Sequence, residues 1–215
     1  MYSAVIVAAG SGSRFGQEQL KVLALLKNRP VISYSLERFR ADPDCREIIL
    51  VHPQNNKHDF QPFCLEKVTL VKGGSTRQES VLNGLNHVTQ PWVLIHDGAR
   101  PNVSLAVLDR VKQTMEKNAV APAIGVKDTL KQSMDGLIIG DIPRHQIYHI
   151  QTPQGFPTAL IRKAHEKAML AGHQYSDDTS VFQHELGLSV SIVEGDEENI
   201  KVTTPTDIKI LEAII

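Results

Sequence analysis

The chain alternates between short apolar runs rich in β-branched residues and longer segments in which apolar residues return every three or four positions. The first pattern is typical of buried β-strands and the second of amphipathic helices. Five strands are predicted on this basis: Ser3 to Val7, Glu47 to Val51, Val68 to Val71, Trp92 to His96 and Val120 to Ala123. Strands that alternate with helices predict an α/β sandwich with a mostly parallel central sheet.

Three helices have recognisable first turns. Pro30 opens a segment whose apolar residues fall on one helical face. The motif Ser75-x-x-Gln78 has the spacing of a capping box ahead of a second helix. The motif Thr204-Pro205-Thr206-Asp207 predicts a third helix, with threonine as N-cap, proline in the first helical position and an acid in the third.

The alternation breaks between residues 127 and 154, where extended apolar stretches flank the turn signal Met134-Asp-Gly136. We predict a β-hairpin arm here, inserted into a single domain that spans residues 1–215. Because the apolar residues of the arm have no evident core of their own, we expect a second copy of the chain to cover them. The alternative is an extra antiparallel edge pair that packs on its own domain.

Composition excludes several classes of function. The 215 residues are 41% hydrophobic and carry a formal net charge of −1, which suits one soluble domain with an ample core. Dispersed basic residues and an aromatic content of 5% argue against nucleic-acid binding. The apolar start from Met1 to Ala9 follows no basic segment and is too short to span a membrane, so neither a signal peptide nor an anchor is predicted. Cys45 and Cys64 lack the spacing of a redox or metal pair, and a cytoplasmic location is the default expectation.

A glycine-rich loop follows the first predicted strand. Gly10, Gly12 and Gly16 let backbone N–H groups approach an anion, and Arg14 and Lys21 supply positive charge for phosphate oxygens. The spacing matches neither the Walker A motif nor the dinucleotide-binding fingerprint. The loop therefore predicts a nucleotide site of another kind, and the alternative is a strand-to-helix turn with surface charges.

Three further groups of residues follow predicted strands or loops. Asp97 and Arg100 lie at the carboxyl end of a strand, where open α/β sheets bind ligands. Asp97 is a candidate ligand of Mg²⁺, or else part of an Asx-turn or helix N-cap. Gly73-Gly-Ser-Thr-Arg-Gln78 opens a helix, so its amides and Ser80 are candidates to bind a base edge, or else a plain capped junction. Lys201 follows an acidic loop and is either a site residue or a solvated charge.

Six motifs, in order along the whole chain, resemble the 2-C-methyl-D-erythritol 4-phosphate cytidylyltransferases. They are Ala8-Ala-Gly-Ser-Gly-Ser-Arg14 with Lys21, Gly73-Gly-Ser-Thr-Arg77, His96-Asp-Gly-Ala-Arg-Pro101, Lys127-Asp-Thr129, Gln151-Thr-Pro-Gln-Gly-Phe156 and Asn199-Ile-Lys-Val202. The resemblance implies a Rossmann-like nucleotidyltransferase sandwich and an arm-mediated homodimer. It also implies transfer of CMP from CTP to 2-C-methyl-D-erythritol 4-phosphate, with Mg²⁺ or another divalent cation, in the non-mevalonate isoprenoid pathway. The products would be 4-diphosphocytidyl-2-C-methyl-D-erythritol and pyrophosphate.

The resemblance also implies roles for individual residues. Arg14 and Lys21 would contact the triphosphate, and Lys201 would bind the α-phosphate. The nucleotide site would be lined by Ala8, Ala9, Gly10, Gly12, Gly74, Ser75, Ser80 and Asp97. Asp97 would also hold a substrate hydroxyl, and Arg100 would complete the substrate end of the site. Thr129 and Arg144, on the arm, would reach the phosphate of the polyol substrate across the dimer interface.

Two departures from the family pattern bear on this reading. Leu20 stands where a proline is usual, which leaves φ ahead of Lys21 unrestricted. Gly98 stands where an alanine is usual, which adds backbone freedom without removing a reacting group. Two alternative functions stay open at this point: a ribitol-5-phosphate cytidylyltransferase, with the same chemistry on another polyol phosphate, and a non-catalytic nucleotide-binding regulator.

Overall fold

The computed structural model describes residues 1–10 and 20–215. Its strands are β1 (Tyr2–Val7), β2 (Leu25–Leu26), β3 (Arg29–Pro30), β4 (Cys45–His52), β5 (Val68–Lys72), β6 (Trp92–Asp97), β7 (Val120–Gly125), β8 (Leu130–Met134), β9 (Leu137–Ile142), β10 (Tyr148–Ile150), β11 (Gln154–Pro157) and β12 (Ser191–Glu194). Its α-helices are α1 (Val31–Ala41), α2 (Lys57–Phe60), α3 (Arg77–Leu85), α4 (Leu105–Met115), α5 (Thr158–Ala171), α6 (Asp178–Leu186) and α7 (Pro205–Ile214). Short 3₁₀ turns lie at Gln61–Phe63 and Arg144–Gln146.

The main sheet has the strand order β10-β7-β11-β6-β1-β4-β5, and β12 pairs with β7. The pairs β1–β4, β1–β6, β4–β5 and β7–β12 are parallel, whereas β11 and β10 pair antiparallel with their neighbours. All six residues of β1 are buried, because both faces of the sheet are covered. The predicted α/β sandwich with a mostly parallel sheet is confirmed.

Helices cover the two faces of the sheet through separate apolar clusters. One cluster joins alternate residues of β1, such as Ile6, to Leu36 of α1 and Val111 of α4. The other joins the intervening residues of β1, such as Val5, to the helices α3 and α5 on the opposite face. The period of two along β1 therefore assigns each side chain to one of two cores.

Two of the predicted helix starts are confirmed, and the third lies one residue further along the chain. The capping box at Thr204 and Asp207 is present, and α1 starts directly after Pro30. The predicted box at Ser75 and Gln78 is wrong, because the N-cap of α3 is Thr76, whose hydroxyl oxygen accepts from Glu79 N at 3.1 Å. The Glu79 carboxylate accepts from Ser75 N at 2.7 Å, and a charged acceptor outcompetes the neutral amide of Gln78 for that role.

The predicted hairpin arm is present, with a correction to its last part. Strands β8 and β9 form a two-stranded sheet of their own, joined by a turn in which Asp135 and Gly136 have φ of 52° and 80°. Leu137 and Ile138 are 71% and 69% exposed, so the chain itself does not cover the hairpin. Strand β10, by contrast, returns to the main sheet and pairs with β7.

Candidate active site

A cavity of about 490 Å³ lies at the carboxyl ends of the parallel strands and adjoins a smaller one of about 80 Å³. Both cavities share the same three side chains in their walls: Arg77, Asp97 and Lys201. Arg100 lines the larger cavity only, and Ala8, Gly10 and Lys21 line the smaller one. The structure therefore brings together six of the predicted site residues from three separate motifs, at the sheet edge where the sequence placed them.

Asp97 lies between two cations at the centre of this arrangement. Its Oδ2 atom lies 2.6 Å from Lys201 Nζ, and its Oδ1 atom lies 3.3 Å from Arg77 Nη2. Burial alone would raise the pKa of this carboxyl, but the charges of Arg77 and Lys201 hold the pKa well below its usual range. Asp97 is thus a permanent anion that aligns two cations, rather than the cap of a turn. Lys201 is likewise ion-paired with Asp97 and lines both cavities, although its side chain is 37% exposed.

Arg77 extends the charge network away from the cavity, and sequence reasoning missed it as a site residue. Its Nη2 atom also lies 2.7 Å from Oδ2 of Asp178, whose side chain is fully buried at the start of α6. Burial would raise the pKa of Asp178, but the Arg77 charge and the neighbouring His165 ring lower it from 3.8 to about 2. Arg77 was visible only as part of the Gly73 to Arg77 motif, because its two partners lie 20 and 101 residues away in sequence.

Lys201 and Arg100 are held by the segment before α7. Val202 N donates to the carbonyl oxygen of Ala99 at 2.8 Å, which ties this segment to the turn after β6. Arg100 donates from Nη1 to the carbonyl oxygen of Asn199 at 2.6 Å. Burial lowers the pKa of Arg100, partly offset by Asp97, so the guanidinium remains charged. These bonds place two cations from distant parts of the chain on one cavity wall.

The turn after β6 is fixed by a short chain of hydrogen bonds beneath the cavity. Asp97 N donates to Thr152 Oγ1 at 3.1 Å, and Thr152 Oγ1 lies 3.0 Å from His96 Nδ1. His96 Nε2 lies 3.1 Å from the carbonyl oxygen of Arg100. Burial lowers the pKa of His96 to about 4, so its imidazole is neutral at physiological pH. Neither His96 nor Thr152 was predicted as a functional residue.

The residues predicted around the base lie in two adjoining turns. Gly73 N donates to the carbonyl oxygen of His52 at 2.8 Å, at the end of the neighbouring strand. Ser80 Oγ accepts from Gly74 N at 3.0 Å and donates to the carbonyl oxygen of Thr76 at 2.7 Å. The hydroxyl of Ser80 therefore supports this turn. Of the residues predicted to line the nucleotide site, Ala9, Gly74, Ser75 and Ser80 lie outside the walls of both cavities.

Four further predicted residues lie away from the cavities or outside the described chain. Thr129 and Arg144 are exposed on the arm, and neither lines the two cavities described above. The Arg144 guanidinium donates to the carbonyl oxygen of Lys127. Within one chain the structure thus does not bring the arm to the site. Gly12 and Arg14 lie outside the described residues.

The donor set around Asp97 suits a divalent cation that is shared with a substrate. An ionised carboxylate offers about four lone-pair positions, so Asp97 can bind a further cation beside Arg77 and Lys201. Mg²⁺ is commonly held by one or two carboxylates together with substrate phosphates. In the described ranges 1–10 and 20–215, no group of three or more His, Cys, Asp or Glu residues is placed to hold a metal on its own. The residues therefore fit a shared cation.

A mostly parallel sheet with Lys and Arg side chains around one buried carboxylate at its carboxyl edge agrees with the solved structures of similar fold, and the chain is an enzyme of their class, the nucleotidyltransferases. The sequence model of one family, IspD (2-C-methyl-D-erythritol 4-phosphate cytidylyltransferase), matches residues 2–215. The chain belongs to this family. The predicted resemblance, the enzyme class and the cytidylyltransferase function of the methylerythritol branch are confirmed.

Known relatives agree with this assignment over the full length. A 2-C-methyl-D-erythritol 4-phosphate cytidylyltransferase of Bacillus thuringiensis is 38% identical over 222 residues, which cover 100% of this chain and 98% of the relative. The crystal structure of the enzyme of that name from Thermus thermophilus has a TM-score of 0.83 at 33% identity, covering 98% of this chain and 96% of the other. A 4-diphosphocytidyl-2C-methyl-D-erythritol synthase from Anaerococcus prevotii has a TM-score of 0.87 at 30% identity, covering 99% and 95%.

Proposed function

We propose that the chain transfers CMP from CTP to 2-C-methyl-D-erythritol 4-phosphate around the charge cluster of Arg77, Asp97 and Lys201. The observation that carries this proposal is the position of the cluster in the shared wall of two cavities. The smaller cavity adjoins Gly10 and Lys21 of the glycine loop, which suits the triphosphate. The larger cavity, which Arg100 also lines, has the size of a small-molecule site and suits the polyol phosphate.

The reaction needs positive charge rather than a general base. The acceptor phosphate is largely dianionic near neutral pH, so its oxygen attacks the α-phosphorus of CTP and forms a new P–O bond. The bond from the α-phosphorus to the bridging oxygen breaks, and pyrophosphate leaves with the electron pair. Lys201 would neutralise the α-phosphate during attack, and Lys21 together with Arg14 would stabilise the departing pyrophosphate.

We propose Mg²⁺ as the cation that Asp97 shares with CTP. When bound there, it would neutralise phosphate charge and polarise the α-phosphoryl group. Asp97 would then serve three cations at once, and its lowered pKa keeps it ionised for this purpose. Magnesium removal by a chelator is expected to abolish turnover, and Mg²⁺ addition to restore it.

We propose that the arm joins two subunits and that Thr129 and Arg144 serve the site of the partner. The support is the exposure of the apolar hairpin residues Leu137 and Ile138, which a monomer would leave in water. In sedimentation, the native protein is expected to behave as a dimer and Leu137→Lys as a monomer. Leu170→Lys is the matched control, because Leu170 is 84% exposed on α5 and away from the arm. A monomeric native protein would contradict this proposal.

Subunit complementation tests the cross-subunit role of Arg144. We expect Asp97→Asn and Arg144→Ala each to be nearly inactive as homodimers. In a mixed dimer, one site would carry both substitutions and the other neither, so mixing should restore activity. If Arg144 instead served its own chain, every site in the mixed dimer would carry one defect and no activity would return.

We propose that the enzyme works in the cytoplasm. In the described part of the chain, no helix is long and apolar enough to cross a membrane. Cys45 and Cys64 are both unpaired thiols, Cys45 being buried, as expected in a reducing compartment. Fractionation of cells that express the native chain should find the protein with the cytoplasmic enzymes, and recovery in a membrane or secreted fraction would contradict the proposal.

A pyrophosphate-release assay separates the candidate functions. With CTP, Mg²⁺ and 2-C-methyl-D-erythritol 4-phosphate, release should be rapid, and replacing CTP by ATP or GTP should slow it strongly. If ribitol 5-phosphate were the better acceptor, the alternative polyol assignment would be correct. If no acceptor gave release, the chain would be a nucleotide-binding regulator instead.

A further inference from the structure

Two buried side chains, Thr152 in the wall of the larger cavity and His96 beneath it, form a hydrogen-bond relay whose directions are determined by its two ends. At one end, Asp97 N can only donate, so Thr152 Oγ1 accepts over 3.1 Å. At the other end, the carbonyl oxygen of Arg100 can only accept, so His96 Nε2 carries a proton and donates over 3.1 Å.

The direction of the central hydrogen bond, between Thr152 and His96, follows from the two end bonds. The His96 ring is fully buried in the core, where its ring centroid lies 5.2 Å from that of Phe39, and such a site disfavours a second ring proton. Nδ1 of His96 is therefore an acceptor, and the hydroxyl of Thr152 donates to it over 3.0 Å. Every donor in the series has one acceptor, and reversing any bond would leave a buried donor unpaired.

The relay connects the two ends of the turn that carries Asp97 and Arg100. Asp97 aligns Lys201 and Arg77, and Arg100 lines the larger cavity, so the turn sets the position of several charged groups. A second bond reinforces the far end, where Ser35 Oγ donates to the carbonyl oxygen of Arg100 at 3.0 Å. Thr152 lines the larger cavity and His96 lies fully buried behind it, and both direct the hydrogen bonds described above to Asp97 and Arg100, so they support the turn from inside the protein.

We propose that Thr152 and His96, with His96 as the neutral Nε2–H tautomer, are positioning residues that hold the Asp97–Arg100 turn in its reactive geometry. The two residues are 56 positions apart and stand in two different motifs, neither of which indicates that they contact each other. The proposal rests on the assigned function of the site and adds two residues to it. It predicts that turnover needs the hydroxyl of Thr152 because this hydroxyl holds both the amide of Asp97 and the His96 ring, and not only because Thr152 lines the larger cavity.

The first test compares three threonine variants by pyrophosphate release. Thr152→Val keeps the shape of the side chain but removes the hydroxyl, and should lower kcat by about 10- to 100-fold, as loss of a group that orients a reactive residue does. Thr152→Ser keeps the hydroxyl and should restore most of kcat. Thr158→Val is the matched control, because Thr158 is also buried and donates to the carbonyl oxygen of Gln90 at 2.8 Å near the opposite end of β6.

The second test observes the ring nitrogens of His96 by NMR, and its first measurement needs only the native protein and His96→Gln. Long-range ¹H–¹⁵N spectra of the native protein should show one buried imidazole protonated at Nε2 only, and this signal should vanish in His96→Gln. The Nδ1 resonance of the same ring should shift in Thr152→Val and stay near its native position in Thr152→Ser and in Thr158→Val.

Three results would overturn the proposal. An Nδ1–H tautomer for His96 would reverse the relay. A kcat for Thr152→Val equal to that of Thr158→Val would show that the hydroxyl is not needed, and Thr152→Ser as impaired as Thr152→Val would show that something other than the hydroxyl matters. Failure of the proposed reaction is distinguishable, because it would leave the native protein without pyrophosphate release while the tautomer remains measurable.

Discussion

The ion pair between Arg77 and Asp178 allows a quantitative test of how the charge network is held. The two side chains approach to 2.7 Å, Asp178 is fully buried, and Arg77 also pairs with Asp97. We consider the single variants Arg77→Gln and Asp178→Asn and their combination. In Arg77→Gln, the Asp178 carboxylate loses its ion pair and keeps the His165 ring beside it, with Nε2 at 3.2 Å from Oδ1.

The lowered pKa of Asp178 sets the magnitude. A fall from 3.8 to about 2 corresponds to roughly 2 kcal/mol of preference for the ionised folded state. Arg77→Gln leaves a buried charge uncompensated, which should cost about 3–5 kcal/mol in the free energy of unfolding. The double variant has no such charge, so we expect it to be more stable than the sum of the single losses implies, by about 2 kcal/mol.

Urea unfolding followed by the fluorescence of Trp92, the only tryptophan, measures all four proteins. Because the folded-state pKa is depressed, the contribution of ionised Asp178 is complete above about pH 5 and is lost as the pH falls through 3.8 toward 2. The cost of Asp178→Asn should accordingly be largest at pH 7 and shrink below pH 4. Losses that add within about 0.5 kcal/mol at pH 7 would refute the reasoning, because residues without coupling behave in that way.

Three further predictions concern single sites. Lys21→Ala should lower kcat by at least about 100-fold if Lys21 stabilises the departing pyrophosphate, whereas Lys27→Ala, at the hairpin turn between β2 and β3, should leave it unchanged; equal effects would remove Lys21 from the site. Gly98→Ala should lower the free energy of unfolding by about 1–3 kcal/mol, because a Cβ there would lie 2.5 Å from Ile32 Cδ1. Adding Ile32→Val to the same chain should recover part of this loss, and an unchanged free energy of unfolding in Gly98→Ala would contradict the packing. Asp207→Ala should lower the free energy of unfolding by about 1 kcal/mol at pH 7 through loss of the capping box. The loss should shrink as the pH falls below the ordinary carboxyl pKa, because hydrogen bonds from the backbone amides of residues 203 and 204 outweigh burial and lower the pKa of Asp207. A loss that does not depend on pH would argue against the cap.

Five strands of the main sheet could be predicted from sequence because they are short apolar runs rich in β-branched residues, most of which are buried. The observed β1, β4, β5, β6 and β7 contain all five predicted runs and extend each of them by at most two residues at either end. Strands β11 and β12 were not predicted. Strand β11 contains Gly155 and Pro157 and directly follows Pro153, and glycine and proline are rare in strands. Both β11 and β12 are only four residues long. Their pairing depends on distant neighbours rather than on local propensity.

The site could be predicted from sequence only in part. Asp97 and Lys201 stand in recognisable motifs at the ends of elements, so the sequence placed them at one edge of the sheet. Arg77 and Thr152 were missed as site residues because each acts through a partner far away in the chain. No local pattern records such a contact, and only the folded chain brings the partners within hydrogen-bond distance.

The most direct test of the central claim is a ³¹P NMR spectrum of the purified protein with CTP, Mg²⁺ and 2-C-methyl-D-erythritol 4-phosphate. If the cluster around Asp97 joins the two substrates, the signals of the acceptor phosphate and of CTP should decline together. Coupled resonances of a diphosphate diester and the resonance of pyrophosphate should replace them, and Asp97→Asn should suppress both. A spectrum with CMP and pyrophosphate but no diester, or with no change, would contradict the account.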